Sequence, residues 1–198
     1  MNFAAGEDQN LTQERPNLTF ASAVTLLGGG ALASGDLALA LGYAPVLVAA
    51  DGGADAALAQ GEMPHAVIGD MDSLSAAARA RIPAERFIAV TEQTRTDFDK
   101  ALSRIDAPLT LAVGFTGWRT DHELAAYHGL LRHPDRRCIL LAARDVVCLA
   151  PPDLTLDLEE GTRLSLFPMA PVTGGSEGLE WPIDGLDFAP TTRIGTSN

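Results

Sequence analysis

Short apolar runs that end in glycine or aspartate, each followed by a helical pattern, recur through the first two-thirds of the chain. "AVTLLGG" reads as a strand and "ASGDLALALGY" as a helix; "PVLVAADGG" with "ADAALAQGE", and "HAVIGD" with "SAAARARI", repeat the pair. "ERFIAV", "TDFDKALSRI", "LTLAVGF", "DHELAAYHGLLRH" and "RCILLAA" continue it, the last helix placing Leu124, Tyr127, His128 and Leu131 on one face. Such alternation restricts the chain to an α/β fold with a mostly parallel sheet covered on both faces. After about residue 144 the rhythm changes. "DVVCLA", "LTLDL" and "TRLSLFPM" are short and alternating, separated by "PPD" and "EEG" turns, which predicts a small all-β sandwich. The expected partition is a polar arm over 1–19, an α/β domain over 20–144 and a β-sandwich over 145–198.

Charge and composition exclude several classes. The net charge is −12 with no lysine/arginine run, so a nucleic-acid partner is not expected. The most apolar stretch, "VTLLGGGALASGDLALALG", is broken by glycines and Asp36 and does not read as a membrane span. "MNFAAGEDQNLTQERPNLTF" has neither a basic start nor an apolar h-region; it reads as a polar arm, and a cytoplasmic location is expected. Cys138 and Cys148, each inside an apolar run, read as two buried free thiols. His65, His128 and His133 show no metal-ligand spacing with them, so no zinc site is expected.

Ligands of an open parallel sheet bind beyond the carboxyl ends of its strands. Those ends here carry "GGG" at 28–30, "ADGGAD" at 50–55, "GDMDS" at 69–73 and "GFTGWRTDH" at 114–122. One aspartate after a strand is ordinarily a cap or a turn former. Asp51, Asp70, Asp72 and Asp121 together point instead to a hard cation of the magnesium type, which shares its shell with phosphates. On the helix "TDFDKALSRI", Phe98, Leu102 and Ile105 form the apolar stripe, opposite Asp97, Lys100 and Arg104. Asp97 suits a metal and Lys100 a phosphate, whereas Asp99 and Arg104 read as a surface ion pair. Arg119 suits a phosphate clamp. Asp121 reads equally as a helix cap, and His122 as a structural hydrogen-bonder or a catalyst. "GGGALA" with Asp51 loosely fits a dinucleotide-binding pattern, but that reading leaves "GDMDS" and "TDFDK" unexplained. No P-loop occurs, and the G-x-S-x-G match at 174–178 lies in the turn-rich tail rather than between a strand and a helix, so it is not a nucleophile elbow.

In order along the chain, "DGGA" at 51–54, "PHAVIGDMDS" at 64–73, "TDFDKAL" at 96–102 and "GFTGWRTDH" at 114–122 resemble the motifs of the thiamin pyrophosphokinase family. "GLEW" at 178–181 and "TSN" at 196–198 are similar to its elements near the C-terminus. The resemblance implies an α/β ATP-binding domain followed by a vitamin-binding β-sandwich, in a homodimer with its sites at the interface. It implies magnesium-dependent transfer of pyrophosphate from ATP to the thiamin hydroxyl, releasing AMP. Carried over by motif, Asp70, Asp72 and Asp97 would be metal ligands, and Asp72, Asp97, Lys100, Arg119 and Asp121 the catalytic set. Asp51, Gly52, Asp70, Ser73, Lys100, Arg119 and His122 would bind ATP; Gln93, Trp181, Ser197 and Asn198 would bind thiamin. Two features depart from the family: Thr94 stands where another acid is common, and the chain ends after "TSN", where a closing strand is usual. Either the sequence stops short of that strand or the sandwich lacks that edge. Two alternatives share the nucleotide half: a pyrophosphokinase acting on another alcohol, such as a hydroxymethyl-pterin, and a non-catalytic thiamin- or nucleotide-binding homologue.

Overall fold

The computed structural model describes residues 18–142 and 144–198. Residues 1–17 of the expected polar arm thus lie outside the described residues. Leu18–Thr19 form strand β1, which pairs in parallel with β6 (Ile105–Asp106).

The main sheet is built from β2 (Val24–Leu27), β3 (Val46–Ala50), β4 (Ala66–Gly69), β5 (Phe87–Ala89), β7 (Thr110–Val113), β8 (Cys138–Leu141) and β9 (Val146–Cys148). Their order across the sheet is β5-β4-β3-β2-β7-β8-β9, parallel at every pairing except β8 with β9. Five α-helices are described: α1 (Asp36–Tyr43), α2 (Gly53–Ala59), α3 (Ala76–Arg81), α4 (Asp97–Arg104) and α5 (Thr120–Arg132). The central strands are buried along their whole length, as near-continuous apolar runs in a two-sided sheet must be. Alternate residues feed opposite layers. Leu26, Val48, Ile68, Ala112 and Leu140 pack with Phe98 and Leu102 of α4 and Ala126 and Leu130 of α5. Leu27, Leu47 and Val113 pack with Leu37, Ala40 and Ala57 on the other side.

Three expectations need correction. Val146–Cys148 does not open the β module: it is the antiparallel edge of the main sheet, reached by a tight reversal in which the Ala142 amide donates to the Asp145 carbonyl at 2.9 Å. A short hairpin suffices for an antiparallel neighbour, whereas a parallel one needs a long crossover. On α5 the buried residues are Ala126, Gly129 and Leu130, while Leu124 is 56% exposed. The helix packs by its small residues because Phe98 lies against it; a Cβ on Gly129 would come within 2.7 Å of the Phe98 ring. Cys138 is buried but Cys148 is exposed, and both are free thiols.

The chain divides into two compact units, Met1–Ala150 and Pro151–Asn198. Within the second unit the described backbone makes isolated antiparallel bridges, Leu166 with Gly195 and Val172 with Phe188. Leu164 and Asn198 also exchange backbone hydrogen bonds of 2.8 and 2.7 Å. Phe188 is buried, whereas Leu154, Leu156, Leu158, Phe167 and Trp181 are exposed.

Candidate active site

Chain direction across the sheet reverses at β2: β3, β4 and β5 follow on one side, β7 and β8 on the other. A crevice opens at such a switch point, beyond the strand ends. Here it is a cavity of about 720 Å³ whose lining includes Gly29, Gly30, Gly52, Asp72, Ser73, Asp97, Thr116, Trp118, Arg119 and His122. Glycine keeps it open by permitting backbone to approach backbone. A Cβ on Gly53 would stand 2.1 Å from the Leu27 carbonyl oxygen, and one on Gly30 would stand 2.5 Å from that of Gly114.

Three elements bring carboxylates together at one end of this crevice. Asp51, after β3, holds the left-handed φ of 41° and is 1% exposed. Its Oδ2 accepts from the Ser73 amide at 3.3 Å, and its buried Oδ1 has no hydrogen-bond partner. Burial pushes its pKa up to about 6, and the neighbouring carboxylates of Asp97, Asp70 and Asp72 push the same way. Asp70, after β4, accepts from Lys100 Nζ at 3.0 Å, Gln93 Nε2 at 2.9 Å and the Asp72 amide at 3.3 Å. The Lys100 hydrogen bond is the main reason that its pKa falls to about 2. Asp97 enters from the first turn of α4, whose start is capped by Thr96, its Oγ1 accepting from the Asp99 amide at 3.4 Å. Burial raises the Asp97 pKa, although Lys100 Nζ, 3.4 Å away, opposes the shift. Carboxylate oxygens of Asp51, Asp70 and Asp97 lie within 4.8 Å of one another.

Of the expected ligands, Asp70 and Asp97 belong to this trio. Asp72 lies beside it, exposed on the cavity wall, where it accepts from Ser73 Oγ at 3.1 Å. Met71 between the two aspartates takes φ 67° and is buried, and the Asp72 carboxylate is not among the three that cluster. Asp51 takes the third place. Lys100 is not on an exposed face: it is 2% exposed and bonded to Asp70 and Asp97. Burial alone would lower its pKa, but the Asp70 and Asp97 carboxylates hold it above the ordinary value. Gln93 stands against Asp70.

Arg119 and Asp121 are solvent-facing and form a two-pronged ion pair of 3.1 and 2.6 Å. Asp121 is therefore not the helix cap; Arg119 occupies that position and Asp121 lies in the first turn of α5. His122 reaches the cavity lining. In the second unit, the Asn198 amide group clasps the backbone of Trp181 (2.9 and 2.6 Å), and the Ser197 amide donates to Ser165 Oγ at 3.0 Å.

Two features escaped sequence reasoning. Asp99 is no surface residue: it is 4% exposed and joins α4 to Arg132 at 2.9 Å and to His133 at 2.7 Å. Burial works to raise its pKa, but His133 and Arg132 bring it below the ordinary value. Trp118, 75% exposed, lies on the cavity wall. Its signal was a large aromatic residue inside the glycine-bearing loop "GFTGW".

Comparison with known proteins gives a consistent result. Thiamine pyrophosphokinase 2 of Arabidopsis thaliana is 28% identical over 123 residues, covering 54% of this chain and 46% of that protein, so the match spans about half the length of that relative. The crystal structure of thiamine pyrophosphokinase from Bacillus subtilis superposes with a TM-score of 0.72 at 20% identity over 88% of each chain. That of thiamin pyrophosphokinase from Geobacillus thermodenitrificans gives 0.69 at 22% identity, covering 84% of this chain and 83% of the other. These likenesses show a shared fold. The sequence model described as "Thiamin pyrophosphokinase, catalytic domain" matches residues 37–140, more than half of the 198 residues, and the chain belongs to the thiamin pyrophosphokinase family.

Proposed function

We propose that this protein is a thiamin diphosphokinase, which transfers the terminal pyrophosphate of ATP to the hydroxyl of thiamin and releases AMP. The observation that carries the reading is the Asp51–Asp70–Asp97 trio beside a cavity at the sheet's switch point, with a buried, unpartnered Asp51 oxygen. An all-oxygen, multiply charged donor set suits a hard divalent cation, so these residues would hold magnesium. When bound, magnesium neutralises charge on the phosphates and on the transferring group.

The chain's own residues would do the rest. The hydroxyl oxygen forms a bond to the β-phosphorus as the bond to the α–β bridging oxygen breaks, leaving AMP and a proton to be accepted. Lys100 holds Asp70 and Asp97 in place as their internal counter-ion. Arg119, now paired to Asp121, offers a planar fork for which phosphate competes. Asp121, released from Arg119, would orient the alcohol and accept its proton; so loose a transition state needs positioning more than a strong base.

Gln93, Trp181, Ser197 and Asn198 are assigned to thiamin by motif, and the second unit to a vitamin-binding β-sandwich. The apolar residues exposed on that unit, Phe167, Val172 and Trp181 among them, support a homodimer in which a second copy covers them. Free Cys138 and Cys148 accord with a reducing, cytoplasmic setting. No described helix is long and apolar enough to cross a membrane.

The test is AMP release from ATP and magnesium with thiamin, with a hydroxymethyl-pterin as the control alcohol. AMP appearing only with thiamin supports the reading. AMP with the pterin alone would move the protein to another acceptor, and none with either would make it a binding homologue.

A further inference from the structure

We propose that Trp118 is the stacking face for the base of the nucleoside triphosphate, which makes the β7–α5 loop the base-binding end of the crevice. This rests on the ATP-dependent reading above. Trp118 is 75% exposed yet lies on the cavity wall, so a ligand that fills the cavity mouth would cover an indole otherwise left in water. The loop that carries it is anchored at several points. The Gly30 amide donates to the Gly114 carbonyl at 2.7 Å, and the Gly117 amide donates to Glu123 Oε2 at 3.2 Å. Glu123 is itself held by the Tyr127 hydroxyl at 2.6 Å. Gly117 takes φ +95°, and a Cβ there would come within 3.2 Å of Ala31 Cβ, so the loop sits close against the segment after β2. A free side chain on a pinned backbone is a preorganised platform, ordered before the ligand arrives.

The sheet sets the reach. From β4, which Asp70 follows, to β7, which leads to Trp118, the order is β4-β3-β2-β7. At roughly 4.8 Å per neighbour spacing, Asp70 after β4 and Asp51 after β3 stand about 14 and 10 Å from the loop's origin. A single ring is too short to touch both ends, whereas thiamin, with two rings and a hydroxyethyl arm, is the rival occupant that the titrations below separate. A nucleoside triphosphate spans them, its phosphates toward the carboxylates, its middle over the Gly29–Gly30 and Gly52 edge, and its base on the indole. Stacking engages the π-face of a base and leaves its edges unread, so Trp118 would supply affinity more than discrimination among bases.

Tryptophan emission of the full-length protein, titrated with magnesium-ATP, tripolyphosphate and thiamin in turn, tests this. ATP should quench the wild type, and Trp118→Ala should lose most of that signal. Tripolyphosphate should not produce it. Calorimetry should show the ATP Kd rising roughly 10- to 100-fold in Trp118→Ala, with tripolyphosphate affinity unchanged and Trp118→Phe largely restored. In turnover the loss should fall on KM for ATP rather than on kcat. Circular dichroism should match the wild type, because the side chain is exposed. A Trp118-dependent signal that follows thiamin instead of ATP would overturn the assignment, as would unchanged ATP affinity in Trp118→Ala. A blue-shifted emission that depends on protein concentration without ligand would overturn it too, by showing that another copy covers the indole. Thiamin-dependent AMP release with normal ATP binding in Trp118→Ala would defeat this inference alone. Trp118-dependent ATP quenching without AMP release would defeat the acceptor reading alone.

Discussion

Replacing Asp51 with Asn should stabilise the metal-free protein and lower thiamin-dependent AMP release. Asp51 is 1% exposed and its pKa lies at about 6, above the ordinary 3.8, so its charged form is the costly one in the folded state. Between those two values the folded chain holds a proton that the unfolded chain has lost. Stability therefore falls as pH rises from about 4 to 6, and the cost is full above that range. Roughly two pKa units correspond to about 3 kcal/mol at pH 8, shrinking to about 0.5 kcal/mol at pH 4. Asparagine removes the charge at nearly the same volume, tolerates the left-handed φ of 41°, and can still accept from the Ser73 amide. Its amide nitrogen would meet the acceptor oxygens of Asp70 and Asp97, where Asp51 Oδ1 has no partner. Urea unfolding in EDTA, followed by far-UV circular dichroism, should show a gain of about 2–3 kcal/mol at pH 8 and almost none at pH 4. In a scan at pH 8, Tm should rise by roughly 6–12 °C. Equal stability at pH 8, or the same gain at both pH values, would falsify the claim that Asp51 is a buried charge held at a cost.

Other outcomes follow from the same geometry. Asp97→Asn should lower thiamin-dependent AMP release by about a thousandfold or more, because it removes one of three clustered carboxylates, while urea unfolding changes little. Magnesium affinity, measured by calorimetry, should weaken as pH falls below about 6, since Asp51 must release its proton before it can act as a ligand. Asp99→Ala should cost about 2–3 kcal/mol in urea unfolding, because Arg132 and His133 lose their buried partner and α4 its tie to α5. Gly53→Ala should cost 3 kcal/mol or more, its Cβ meeting backbone oxygen at 2.1 Å, whereas Gly42→Ala in α1, with nothing within 4 Å, should gain about 0.5–1 kcal/mol. Similar costs at the two glycines would contradict the contact at Gly53.

The signals legible in the chain alone were local and periodic. Alternating strands and helices dictated the parallel sheet, and glycines and aspartates at successive strand ends marked its rim as the place for chemistry. The order of the motifs also indicated the family before the comparisons showed it. Which of those residues meet was set by packing alone. "GDMDS" suggested two carboxylates acting together, yet the trio is drawn from β3, β4 and α4, elements joined by crossovers whose packing no single motif encodes. Asp99 looked solvent-facing on its own helix and is buried because α5 lies across it; Val147 looked like part of the tail and became a sheet edge. A helical wheel or a strand alternation records how one segment divides between faces. Which face is covered, and by what, depends on contacts between segments far apart in the chain, and those form only when the sheet assembles.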